Sequence, residues 1–402
     1  MIHVDISNIW GEVSLPDLLS LEKDIFDAHK TLTEDSRWQA LSVDLDGLAR
    51  IQNMAERIRT DAEIFVVVGH TASRAALELL QGEYRNLHTG TGNPKIIFAG
   101  DSFSTRQFQQ LQQLLERKDF SIAIIEGTME SAITARDLRW MLERKYGFDE
   151  ARYRTCIMAG PEGALWQLAQ EEGWECFAHG TGNVLTAATL LPLAVAGVDV
   201  WQVLQGAAAA MEEFDLRSFE NPVWLYAAVR NLMQRRGKAM ELLCSDEPDF
   251  SAFGKWWQQL FASCGEGGLL PVSAQFPRDL PLIRQSQGSF FETLIRFAPP
   301  TLPHTILSDV RDAEKLNDLA DKPLHFVQEQ AFLAALEDHT DNGISAVTVE
   351  CGRPDEKTIG ELLRFFELSH ALSSIAMGVN PLNPADETLY QSRLFQLLGR
   401  SE

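Results

Sequence analysis

Short apolar runs alternate along this chain with longer stretches whose apolar positions recur every three or four residues. That is the pattern of parallel strands joined by crossover helices. Ile64-Phe65-Val66-Val67-Val68 is unbroken and ends in Gly69, as expected of a strand buried on both faces, and a helical pattern follows from Ser73. Lys95-Ile96-Ile97-Phe98-Ala99-Gly100 is a second strand, followed by a helix with Phe108, Leu111, Leu114 and Leu115 on one face. Ser121-Ile122-Ala123-Ile124-Ile125 leads into a helix from Glu130 to Tyr146, and Thr155-Cys156-Ile157-Met158 makes a further strand. This βαβαβ succession predicts a doubly wound sheet.

A second succession begins near Asn221. Val223–Gln234, Phe253–Phe261 and Val327–Leu336 read as helices, and Ala239–Leu243, Leu270–Gln275 and Ala346–Glu350 as strands. Thr358–Met377 and Glu387–Leu398 are helical in pattern. The economical organisation is an N-terminal arm (1–45), one α/β domain (46–212), a second (213–375) and a C-terminal helical tail (376–402). Neither a long Pro/Gly linker nor a short-period repeat interrupts it.

Composition narrows the class. A chain of 402 residues, 45% hydrophobic and 23% charged, suits a soluble globular protein of more than one domain. No apolar run reaches the length of about 18 residues that a membrane span needs, since Val184–Val198 is interrupted by Thr186, Thr189 and Pro192. The N-terminus lacks the basic region and apolar core of a signal peptide, so the expectation is a cytoplasmic protein with no membrane role. Cys156, Cys176, Cys244, Cys264 and Cys351 are scattered, with no Cys-x-x-Cys pair, and read as reduced thiols. The net charge of −22 repels nucleic acid and anionic membranes, so an anionic ligand needs local cations. Metal-ligand clusters, a Ser-His-Asp order and a dinucleotide fingerprint are all missing from the sequence, and no metal or cofactor is expected.

Several strings carry a likeness to a known family. They are Asn-Pro-Lys-Ile-Ile-Phe-Ala-Gly (93–100), Lys-Asp-Phe-Ser-Ile (118–122), Leu-Leu-Pro-Leu-Ala-Val-Ala-Gly-Val-Asp (190–199) and Asn-Pro-Val-Trp-Leu-Tyr-Ala-Ala-Val-Arg-Asn-Leu (221–232). His-Thr-Asp-Asn-Gly (339–343), Gly-Val-Asn-Pro (378–381) and a C-terminal Leu-Phe-Gln-Leu-Leu-Gly follow. In this order, and spanning nearly the whole chain, they resemble the bacterial phosphoglucose isomerases. The resemblance implies two doubly wound, parallel-sheet sugar-isomerase (SIS-type) domains, each a three-layer αβα sandwich, and a homodimer with a shared active site. It also implies interconversion of glucose 6-phosphate and fructose 6-phosphate, with a sugar or sugar phosphate as ligand.

That chemistry needs a base to move a proton between neighbouring carbons, a group to open the sugar ring, a cation for the enediolate oxygen and a cradle for the phosphate. Against the family pattern this chain is depleted in all but one. The phosphate loop, which resembles Ser-Lys-Ser-Gly-Thr-Thr-Thr-Glu in the family, is here Glu126-Gly127-Thr128-Met129-Glu130, several residues shorter and without its lysine. The opening glycine loop shrinks to Gly69-His70-Thr71-Ala72-Ser73. In the third loop, Phe177-Ala178-His179-Gly180-Thr181-Gly182-Asn183, Thr181 stands at the family's arginine, and no Arg or Lys occurs between Phe177 and Asp199.

The segment from Asp279 to Glu292 has no carboxylate between its ends, and Gln285 or Gln287 falls where the family's general-base glutamate lies. An amide cannot accept and return a proton there. Gln391 holds the place of a functional lysine in the last helix. Only His339, which matches the histidine implied in ring opening, is retained, and His-Thr-Asp-Asn-Gly also reads as a helix end followed by a turn. The expectation is a homologue that has lost isomerase chemistry and serves as a binding or regulatory protein. The alternative is an active sugar-phosphate isomerase with rearranged groups or another substrate, which needs a cleft carboxylate from Glu126, Glu130 or Asp101.

Overall fold

A computed structural model describes residues 2–9, 11–35, 38, 43–69, 72–88, 93–179, 183–262, 268–283, 289–382 and 388–399. Its strands are β1 (His3–Asp5), β2 (Ile64–Val68), β3 (Lys95–Ala99), β4 (Phe120–Ile125), β5 (Thr155–Ala159), β6 (Glu175–Ala178), β7 (Met240–Ser245), β8 (Leu270–Gln275), β9 (Phe290–Phe297) and β10 (Ala346–Cys351). The chain divides into two compact units, one of residues 33–211 and 355–367, the other of residues 1–32, 212–354 and 368–402.

The first unit is built on a sheet of order β3-β2-β4-β5-β6, with every neighbouring pair parallel. Each residue of β2, β4 and β5 is buried, which is why their sequences are continuous rather than alternating. Ile64, Val66, Val68, Phe120, Ile122 and Ile124 pack with Leu138 and Leu142 of the helix Met129–Tyr146. The edge strand β3 is different, with Ile97, Phe98 and Ala99 only half-buried.

This unit also holds a close helix crossing. Gly206, in the helix Val200–Phe214, and Gly360, in the helix Glu356–Ala376, lie against each other's backbones. A Cβ on Gly206 would meet the Lys357 carbonyl oxygen at 1.8 Å, and one on Gly360 would meet that of Val203 at 1.8 Å. No other residue fits at either position.

The second unit repeats the winding. Its sheet has the order β1-β10-β9-β7-β8, all parallel except for the antiparallel β1 at one edge. β9 carries no strand reading of its own in the sequence, because its opening residues overlap the segment from Asp279 to Glu292, which reads as a loop. Asn221 caps the helix Pro222–Arg235, its Oδ1 accepting from the amides of Val223 (2.9 Å) and Trp224 (3.3 Å). Farther along that helix, Arg230 Nε donates to Glu241 on β7 at 2.5 Å, and the same carboxylate accepts from the hydroxyls of Tyr226 and Thr293. All four side chains are buried, so the ion pair is retained inside the fold only because its remaining polar atoms are also bonded.

Both sheets are therefore doubly wound, as the alternating pattern predicts. Among the described residues no helix is long and apolar enough to cross a membrane.

Candidate functional site

In the first unit the chain leaves β2 toward β3 and then returns to place β4 on the other side of β2. Ligands of such sheets settle at the carboxyl ends of the strands where the winding reverses, here between the ends of β2 and β4. Gly69 closes β2 with φ +112°, and a Cβ there would meet the Ile125 carbonyl oxygen at 2.9 Å, so the turn is drawn tightly against the end of β4. At the end of β4, Thr128 caps the helix Met129–Tyr146. Its Oγ1 accepts from the Ser131 amide at 3.4 Å, while Ser131 Oγ donates back to the Thr128 carbonyl at 2.7 Å. What remains for an anion at this turn is the earliest amides of the helix.

Glu126 is turned away from that helix. Its Oε2 accepts from the Gly160 amide at 2.9 Å, beyond the end of β5. A Cβ on Gly163 would sit 2.6 Å from Oε1 of the same carboxylate. Gly163 is the N-cap of the helix Ala164–Glu172 and has no side chain with which to cap it. The Glu126 charge thus lies over a helix start that lacks an acceptor of its own, where a negative group is favoured. Its role in the structure is to tie β4 to the loop after β5.

His179, following β6, is half-buried, with Nδ1 3.2 Å from Thr186 Oγ1. Burial pulls its pKa below the ordinary histidine value, and the Glu126 charge only partly opposes this. Burial therefore disfavours the cationic form of this imidazole. Asn183 accepts from the Leu185 amide at 3.0 Å and shapes the turn into the helix Ala187–Ala196. His70, Thr71, Thr181, Gly182, Gln285 and Gln287 lie outside the described residues, as does the side chain of Gln391.

His339 belongs to the other unit, in the last turn of the helix Leu324–Asp341. Its Nδ1 lies 2.6 Å from Oε2 of Glu292. The residue is 1% exposed and Glu292 0%. A carboxylate accepts, so Nδ1 carries the hydrogen, and Nε2 is left without a partner among the described residues, as is Glu292 Oε1. Phe276 closes over the imidazole edge-on, with centroids 6.5 Å apart.

Glu292 is the third residue of β9 and stands in register with Ala346, the first of β10, so the pair sits at the amino ends of these strands. In a doubly wound sheet that is the end opposite the usual ligand crevice. The sequence signal for the pair is an acidic residue inside the otherwise apolar run Phe290-Phe291-Glu292-Thr293-Leu294-Ile295, which calls for a buried partner.

The other carboxylates singled out in the sequence belong to the first unit. Glu130 is in the first turn of the helix Met129–Tyr146, and Asp101 is exposed after β3. Among the described residues no group of three or more His, Cys, Asp or Glu side chains is arranged to hold a metal.

No protein-family model matches the chain. It is 37% identical over 384 residues to a glucose-6-phosphate isomerase of Bacillus cytotoxicus, covering 90% of this chain and 85% of that protein. It is 36% identical over 433 residues to a glucose-6-phosphate isomerase of Staphylococcus saprophyticus, covering 100% of this chain and 97% of that protein. The chain belongs to the glucose-6-phosphate isomerase family.

Solved structures show the same fold at lower identity. A glucose-6-phosphate isomerase from Chlamydia trachomatis superposes with a TM-score of 0.72 at 13% identity, covering 96% of this chain and 86% of that one. A hypothetical protein from Thermus thermophilus gives 0.85 at 18% identity, covering 99% and 100%. One of the strings that carry the likeness to the glucose-6-phosphate isomerase family serves packing. Asn221, Tyr226 and Arg230, all in the matching stretch 221–232, cap a helix and hold Glu241.

Proposed function

We propose that this member of the glucose-6-phosphate isomerase family does not interconvert glucose 6-phosphate and fructose 6-phosphate and acts as a non-catalytic binding or regulatory protein. It works in the cytoplasm as a homodimer, the assembly implied by its likeness to the isomerases through the His339 segment and the C-terminal helices. The observation that carries this reading is the enclosure of His339. The one retained member of the family's catalytic set spends its Nδ1 on Glu292, and neither side chain meets solvent.

The sequence around the other positions supports the same conclusion. Gln285 or Gln287 replaces the base, Thr181 the arginine and Gln391 the lysine. Loss of one positioned acid–base group alone costs about a hundred- to ten-thousandfold in rate. At the phosphate turn a family lysine is gone, on a chain whose net charge is −22.

Turnover tests the proposal. Purified protein at high concentration, supplied with fructose 6-phosphate and a dehydrogenase that consumes glucose 6-phosphate, is expected to give no signal above the blank. Turnover of about 1 s⁻¹ or faster, the low end for ordinary enzymes, overturns it if a single cleft substitution abolishes the rate.

A further inference from the structure

The first unit contains a cavity of about 400 Å³ that none of Gly69, Gly127 and Thr128 lines. It opens along the outer side of the edge strand β3, against the helix Thr105–Arg117, and its size is that of a small-molecule site. Its lining includes the apolar residues Ile97, Phe98, Phe108, Leu111 and Leu114. It also includes the polar residues Arg74, Asp101, Ser102, Gln107, Gln110 and Thr134.

The polar lining residues are only partly engaged. Ser102 Oγ donates to Gln107 Oε1 at 2.7 Å, which leaves the Gln107 amide nitrogen free to donate. Arg74 is already held by Glu78 through Nε at 3.1 Å. The carboxylate of Asp101 and the amide of Gln110 make no hydrogen bond with the described residues. The site therefore presents a carboxylate acceptor, amide groups that donate and accept, and a guanidinium whose charge is answered by Glu78.

That charge balance decides the ligand class. Arg74 is matched by Glu78, and Asp101 adds an unmatched negative charge, so a phosphate or carboxylate is repelled. A wholly apolar ligand would strand Asp101 and both glutamines. A polyhydroxylated ring satisfies both kinds of lining residue, since its hydroxyls donate to Asp101 and accept from the amides while its C–H face lies on Phe98 and Phe108. We propose that this cavity binds an uncharged polyhydroxylated ligand, a free hexose or a comparable polyol. Gly69, Gly127 and Thr128 are not part of its lining, and the proposal does not depend on the loss of isomerase activity.

Calorimetry on the full chain with glucose, mannose, galactose and fructose tests it, with glucose 6-phosphate and inorganic phosphate as charged probes. A hexose of this size in a preformed site is expected to bind at about 1 mM. Asp101→Ala should weaken that binding tenfold or more, and Leu114→Trp, which fills the cavity from a partly exposed position, should abolish it at unchanged melting temperature. Glucose 6-phosphate should bind this site more weakly than glucose does. The proposal is overturned if none of the four sugars binds at tens of millimolar. It is equally overturned if binding survives both substitutions, or if an Asp101-dependent signal is stronger for glucose 6-phosphate than for glucose.

Discussion

Nδ1 of His339 lies 2.6 Å from Oε2 of Glu292, and the two side chains are sealed inside one unit of the protein. The couple occupies Nδ1 of His339, and the other ring nitrogen, Nε2, is buried without a partner among the described residues. Removing one partner leaves the other buried and unmatched. His339→Ala should therefore cost about 1–3 kcal/mol of stability in urea unfolding, the range for leaving a buried polar group without its partner. A loss below about 1 kcal/mol, typical of surface positions, would show that the couple does not support the fold.

The crossing of the helices Val200–Phe214 and Glu356–Ala376 makes a sharper prediction. At Gly360 the obstacle to a methyl group is backbone, the Val203 carbonyl at 1.8 Å, which cannot swing aside as a flexible side chain can. Gly360→Ala should destabilise by more than about 3 kcal/mol or prevent folding, as overpacking against a fixed neighbour does. Gly11→Ala, with nothing within 4 Å of the added carbon, is the control and should remain within about 1 kcal/mol of the parent.

His370 sets a pH dependence. Burial, reinforced by the Arg230 charge, pushes its pKa down to about 3 from the ordinary 6.5. Between those values the unfolded chain binds a proton that the folded chain refuses, so stability rises with pH and is lost as pH falls from about 6.5 toward 3. One such histidine contributes a slope of at most about 1.4 kcal/mol per pH unit. His29 and His179, both shifted downward by burial, act in the same direction. Urea unfolding between about pH 4 and pH 7 should show a shallower slope for His370→Asn than for the parent. Equal slopes would mean that His370 takes up its proton without unfolding.

The fold is legible in the sequence because its signals are local. Val66, Ile122 and Ile157 sit in unbroken apolar runs, which only strands covered on both faces tolerate. The glycines at 206 and 360 are invisible as contacts, since each looks like an ordinary weak spot in a helix until the other backbone is beside it. In the sequence, the shortened turn at Glu126 reads as a charge facing an anion site. Its carboxylate instead reaches Gly160, 34 positions away, and no sequence pattern encodes that bond. Glu292 escapes a sequence reading for a related reason. It marks the end of a segment that reads as a loop, whereas its partner lies 47 positions on, brought near by the return of the chain into β10.

The most direct measurement follows the proton itself. Isomerisation through an enediol exchanges the hydrogen at carbon 2 of glucose 6-phosphate with solvent, and even a half-reaction with no net product leaves that mark. Protein incubated with glucose 6-phosphate in heavy water, followed by proton NMR, is predicted to leave the carbon-2 signal at the level of the protein-free sample. Loss of that signal in proportion to protein concentration, abolished by a substitution within the chain, would contradict the claim that no group remains in place to move the proton.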